Sequence, residues 1–137
     1  MRESDPSNTE VPSAIIVTHG RITCEALTAR EALAAEGIRV GILLCEYLKP
    51  YDRLAAEVGA RLPAGIPLLF AEEELRAGGF GMMLTDAMRR NGSLEGHPYT
   101  ILATDDSFVC QTRQEPIYRT AGVDAHAIAA EIRRLLP

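Results

Sequence analysis

A short apolar run that ends in three acids and then meets a glycine-rich turn constrains this chain more than any other feature. The run is Pro67-Leu-Leu-Phe-Ala-Glu-Glu-Glu74, and Leu75-Arg-Ala-Gly-Gly-Phe-Gly81 follows it. A bounded stretch of this length and apolarity reads as a buried parallel strand. Its carboxylates then stand at the carboxyl end, the side on which open α/β sheets place functional groups. Beyond the glycines the period changes. Phe80, Met83, Leu84, Ala87 and Met88 recur at helical spacing and predict an amphipathic helix.

The same strand-then-helix alternation runs through the rest of the chain. Ala14-Ile-Ile-Val-Thr18 predicts a first strand, closed by His19-Gly20-Arg21. From Ile22 the positions Ala26, Ala29 and Leu33 follow a helical period, and Gly37 is placed to end that helix as a left-handed cap. Residues 38–45 predict a second strand. Lys49-Pro50 forces an extended or turn geometry before a short helix marked by Leu54, Val58 and Leu62. Asn91-Gly92 stops the helix after the glycine turn, and Tyr99–Thr104 predicts a fourth strand that ends at Asp105-Asp106-Ser107. Glu115–Ala121 suggests one or two helical turns. Gly122-Val123-Asp124 then breaks and caps, so that Ile128, Ile132, Leu135 and Leu136 line a last helix. Strands alternating with helices imply crossover connections and a sheet covered on both faces. The expected fold class is therefore α/β, a three-layer α/β/α sandwich on a mostly parallel sheet of four to five strands. Residues 1–12 are expected to be a disordered or extended lead-in, and residues 13–137 the folded domain.

A chain of 137 residues is long enough to bury a core without staples. Its net charge of −5 and lack of any basic block argue against nucleic acid or an anionic membrane as partner. The polar N-terminus has no apolar centre of the signal-peptide kind, and no run reaches the length of a membrane span. Cys24, Cys45 and Cys110 are widely spaced and form no C-x-x-C pair. They are read as small hydrophobes in a reducing, cytoplasmic setting.

Few residues invite chemistry. Glu72, Glu73 and Glu74 could act as acid and base or recognise a cation. The plainer reading weighs more: one carboxylate accepts backbone N–H bonds from the glycine turn while the others face water. Gly78-Gly79-Phe80-Gly81 resembles a phosphate-cradling turn, but it fits neither G-x-G-x-x-G nor the Walker pattern, and the preceding acids repel anions. Tight-turn geometry is the simpler reason for those glycines. His19 and Arg21 border a turn where an anion is physically possible. Asp105 and Asp106 lack further ligands for a cation. No histidine pair has metal spacing, and no G-x-S-x-G nucleophile occurs. The reading assigns no catalytic residue and no metal site. Its interface or ligand-edge candidates are Glu72, Glu73, Gly78, Gly79, His19, Arg21 and Asp105.

Several segments, taken in order, resemble the transketolase C-terminal domain, in the version found in 1-deoxy-D-xylulose-5-phosphate synthase. Glu46-Tyr-Leu-Lys-Pro-Tyr-Asp52 is similar to that family's R-F-x-K-P-L-D segment after the second strand. Phe70-Ala-Glu-Glu-Glu-Leu-Arg-Ala-Gly-Gly-Phe-Gly81 is similar to E-E-N-x-x-x-G-G-x-G. Thr104-Asp-Asp-Ser-Phe-Val, then Gln114-Glu-Pro-Ile-Tyr-Arg-Thr-Ala-Gly-Val-Asp124, resembles the P-D-x-F and E-x-x-x-x-x-G-L-D endings. His19-Gly20 stands where the family has a G-T/S-G turn. Glu74 stands in place of the motif's Asn, and Cys110-Gln-Thr112 in place of a histidine-bearing stretch.

The resemblance implies a domain without a cofactor of its own. It implies a non-catalytic subunit or domain of a split thiamine-diphosphate-dependent enzyme, similar to 1-deoxy-D-xylulose-5-phosphate synthase or a 2-oxo-acid dehydrogenase, that serves assembly and dimerisation. Thiamine diphosphate and Mg would belong to partner chains, in a homodimer or hetero-oligomer. The alternative is a small-ligand-binding regulatory module without catalysis.

Overall fold

A computed structural model of the chain describes residues 10–106 and 114–137. Four strands, β1 (Ala14–Thr18), β2 (Val40–Leu44), β3 (Leu68–Leu75) and β4 (Tyr99–Thr104), form one sheet in the order β2-β1-β3-β4. Every pairing is parallel. The helices are α1 (Thr23–Ala35), α2 (Tyr51–Gly59), α3 (Phe80–Arg90), α4 (Gln114–Ala121) and α5 (Ala125–Leu135), with a 3₁₀ turn at Gly20–Ile22 before α1. The lead-in through residue 9, Ser107 and Cys110 lie outside the described residues.

Parallel strands buried on two faces need apolar side chains at successive positions, and β1 is buried at all five of its residues. The strand period then sorts those side chains into two cores. Ile16, Leu69 and Ala71 face Ala26, Ala29 and Leu33 of α1 and Ile128 and Ile132 of α5. Ile15, Val17, Leu68 and Phe70 face Leu54 and Val58 of α2 and Phe80, Leu84 and Met88 of α3. The result is the three-layer α/β/α sandwich expected of the sequence.

Boundaries follow local chemistry. Gly37 takes φ +81°, and the amides of Gly37 and Ile38 close back on the carbonyls of Ala34 and Leu33, which ends α1. Asp124 caps α5 by accepting the Ala127 N–H at 2.9 Å. Three expectations need correction. Leu62 lies beyond α2, which ends at Gly59, where a Cβ would meet Ser93 at 2.5 Å. Met83 is 42% exposed, because α3 turns Phe80, Leu84, Ala87 and Met88 inward instead. Cys24 is exposed on the outer face of α1, whereas Cys45 is buried as expected and its thiol is pushed up to about 12 by burial.

Among the described residues β4 is an edge strand, and Arg76 bends over it. The Arg76 guanidinium donates to the Ile101 carbonyl at 2.7 Å, and its backbone N–H donates to Thr104 at 3.0 Å.

Candidate functional site

The strand order reverses direction between β1 and β3. In open α/β sheets, the crevice beyond the carboxyl ends at such a reversal is where ligands are held. The lengths of the strands build this place. β1 stops at Thr18, paired with Ala71 and tied to it by the Thr18 hydroxyl, which donates to the Ala71 carbonyl at 2.9 Å. β3 continues to Leu75, so its last residues overhang the end of β1, and its register with β4 shifts over the same stretch. Glu72, Glu73 and Glu74 occupy the overhang, while His19 and Gly20 begin where β1 has ended.

Because the overhang is still strand, the three acids alternate in direction. Each meets a different partner. Glu72 turns toward α3 and is fully buried. Its Oε1 accepts the Gly81 N–H at 3.0 Å, while its Oε2 has no hydrogen-bond partner. Burial pushes its carboxyl up to about 7; the Gly81 amide opposes that shift and the Glu74 charge adds to it. Glu73 turns to the opposite face, where the Tyr118 hydroxyl of α4 donates to its Oε2 at 2.5 Å. Burial first, and that bond second, push the Tyr118 phenol up to about 12. Glu74 returns to the first face and engages His19 Nε2 with both oxygens, at 3.0 and 3.1 Å. The His19 ring lies on Phe80 with centroids 4.6 Å apart.

The expected division holds, since Glu72 takes the glycine-turn N–H while Glu73 is exposed and Glu74 half-exposed, but the two outer acids also have partners of their own. The explanation of the glycines divides as well. Gly78 does serve the turn, with φ +73° and open space around it. Gly79 has ordinary extended angles, yet a Cβ there would lie 2.2 Å from the Leu75 carbonyl oxygen and 2.5 Å from Glu72 Oε2. At Gly81 a Cβ would lie 2.7 Å from Ile101 and 2.8 Å from Glu72 Oε1. These two glycines are small so that a carboxyl group fits beneath the helix start.

Of the remaining candidates, Arg21 is exposed in the 3₁₀ turn, near enough to act on the Tyr118 phenol. Asp105 is exposed beyond β4 and joins none of these contacts. Sequence reasoning missed Thr18, Tyr118 and the stacking face of Phe80. The strand period, extended through residue 74, places Glu72 and Glu74 on one face. Tyr118 lies 45 residues from Glu73, and no local pattern links them.

This arrangement is suited to holding backbone in place, and its fit to a diphosphate coenzyme is poor. The start of α3 is the natural anion seat, but a carboxyl group fills it from below and Glu74 stands beside it. No group of three or more potential metal ligands occurs among the described residues.

Comparison with known proteins agrees with this reading of the fold. Residues 7–128 match the family described as transketolase, C-terminal domain. The 1-deoxy-D-xylulose-5-phosphate synthase of Anaeromyxobacter dehalogenans strain 2CP-C is 36% identical over 126 residues, covering 91% of this chain and 20% of that protein. The synthase of Syntrophotalea carbinolica is 32% identical over 125 residues, covering 90% of this chain and 19% of that protein. The chain thus spans about a fifth of the length of the curated relatives it matches. Among solved structures, a split gene transketolase described as an inactive β4 tetramer superposes with a TM-score of 0.72 at 24% identity, over 92% of this chain and 40% of that one. The transketolase of Leishmania mexicana gives 0.64 at 19% identity, over 97% of this chain and 17% of that one. The motifs, the parallel sheet with its glycine turn and the family match agree: the chain belongs to the transketolase C-terminal domain family.

Proposed function

We propose that this chain is the non-catalytic C-terminal unit of a split thiamine-diphosphate-dependent enzyme of the transketolase type, with residues from about 13 onward forming its assembly domain. The chemistry of the complex is ketol transfer or decarboxylative carboligation of the 1-deoxy-D-xylulose-5-phosphate synthase kind, or a 2-oxo-acid dehydrogenase reaction. Partner chains bind the coenzyme and its Mg, and this chain supports their association as a homodimer or hetero-oligomer in the cytoplasm.

The observation that carries this reading is the family match over residues 7–128, together with alignments to synthases of which the chain spans about a fifth. Likeness to a transketolase encoded by a split gene supports separate subunits. The filled crevice between β1 and β3 weighs for assembly over metabolite binding, because Glu74, His19 and Phe80 already engage one another and Glu72 is buried against the Gly81 N–H.

The test is reconstitution. The full chain is mixed with thiamine-diphosphate-binding chains from the same source, and coenzyme-dependent turnover and co-elution are measured. Turnover that needs this chain, together with a shared elution peak, is expected. Turnover unchanged by its omission would refute the proposal.

A further inference from the structure

Glu72 is the only fully buried acidic or basic residue among those described, and its surroundings suit a neutral acid better than an anion. Its Oε1 is satisfied by the Gly81 N–H at 3.0 Å. Its Oε2 has no partner, although the Leu75 carbonyl oxygen is crowded against the same place. The Leu75 carbonyl oxygen and Glu72 Oε2 lie 2.2 and 2.5 Å from the point that a Cβ on Gly79 would occupy. The Phe80 and Gly81 amides favour the charged form, but burial outweighs them, and a proton on Oε2 spares the interior a charge beside the Leu75 carbonyl.

The charges around the group come from several elements. Glu74 stands two residues along the same strand, and Arg76, just past the strand's end, is the cation whose charge opposes the shift. Tyr51 of α2 feels both Glu72 and Glu74. His19, following β1, is held by Glu74 rather than by Glu72. The first turn of α3 carries no acidic residue, and β4 brings only the apolar Ile101 against Gly81.

We propose that Glu72 is a proton-operated latch on the first turn of α3: neutral, it holds the Gly78–Gly81 turn closed, and ionised, it draws that turn open toward water. The elevated carboxyl value, about 7, places the change where small shifts in pH are felt. The segment that the latch holds also carries Leu75, Met82 and Met83, which are 46%, 51% and 42% exposed. The proton state of one interior group thereby sets how this apolar surface is presented. The inference does not depend on the proposed enzyme assembly.

The experiment uses the full chain. The ¹³C carboxyl shifts of its glutamates are followed between about pH 4 and about pH 9, alongside hydrogen exchange of the Phe80 and Gly81 amides corrected for intrinsic rates. Glu72 is expected to titrate near neutrality. First-turn protection is expected to fall as pH rises from about 4.5 to about 7, by up to about tenfold per pH unit, and to level off above that. In Glu72→Gln the same amides are expected to show no such fall. A Glu72 carboxyl that titrates with the surface glutamates would overturn the proposal, as would a first-turn protection profile that stays flat in the wild-type chain. If Glu72→Gln fails to fold, the two wild-type measurements decide the matter.

Discussion

Gly78 and Gly79 are adjacent and chemically identical, yet the structure gives them opposite reasons to lack a side chain. That difference sets up a sharp comparison between Gly78→Ala and Gly79→Ala. At Gly78 the backbone is left-handed, at φ +73°, and nothing lies within 4 Å of a new methyl group. The cost is conformational only, about 1 kcal/mol. At Gly79 the angles of −75° and 179° are open to any residue, so conformation costs nothing. The methyl group would instead stand 2.2 Å from the Leu75 carbonyl oxygen and 2.5 Å from Glu72 Oε2. The first obstacle is backbone and cannot swing aside. The second is a buried carboxyl whose displacement also breaks its bond to the Gly81 N–H.

Overpacking of this kind costs about 1–3 kcal/mol, and losing a helix-start acceptor adds about 1 kcal/mol. Gly79→Ala should therefore lose about 3 kcal/mol, roughly three times the effect of its neighbour. Urea unfolding reads this as a shift in midpoint at unchanged slope. In a chain of this size each kcal/mol moves Tm by about 3–4 °C, so the two variants should differ by several degrees. Equal losses, or a larger loss at Gly78, would refute the claim that close approach to Glu72 determines the second glycine.

Three further outcomes are expected. The unfolded chain releases the Glu72 proton at its ordinary value of 4.5 and the folded chain only near 7, so this group's contribution to stability should decline as pH rises across that window, by up to about 3 kcal/mol, and level off above it; chemical denaturation of wild type and Glu72→Gln at a series of pH values checks the sign, and a gap between them that stays constant with pH counts against it. Tyr118→Phe should cost about 1–2 kcal/mol and speed amide exchange in α4, because it removes the bond that ties this helix to Glu73; unaltered exchange in α4 would show that the bond holds nothing. A double-mutant cycle of His19→Ala and Glu74→Gln should give a coupling of about 0.5 kcal/mol that shrinks in high salt, since Glu74 is 40% exposed; a larger, salt-independent coupling would contradict that picture.

How much of this was legible in the sequence depended on the range of the physics involved. β1 and β4 appear over the residues where apolar patterning placed them, and Gly37 and Gly92 both take the positive φ that their stop positions required. Those features are decided by neighbours in the chain. Met83 and Cys24 were misjudged because a helical period fixes which residues share a face, while the neighbouring layers decide how wide the buried face is. The acid cluster was visible in the order of residues alone. Its division into Glu72 under α3, Glu73 on Tyr118 and Glu74 on His19 depends on β3 outrunning β1, and strand lengths in a sheet are settled by contacts distant in sequence. The glycines show the same limit, because Gly79 and Gly81 answer to a carboxyl group seven and nine positions earlier.

The guanidinium that Arg76 lays on the carbonyl of Ile101 bears on how copies of this domain meet one another. An uncovered outer strand invites any passing extended segment to continue the sheet, which is a common beginning of aggregation. Here such a segment must first dislodge a cation from the acceptor it needs. Two identical rims brought together would also set like charges against each other. The guard thus disfavours extension of the sheet along β4.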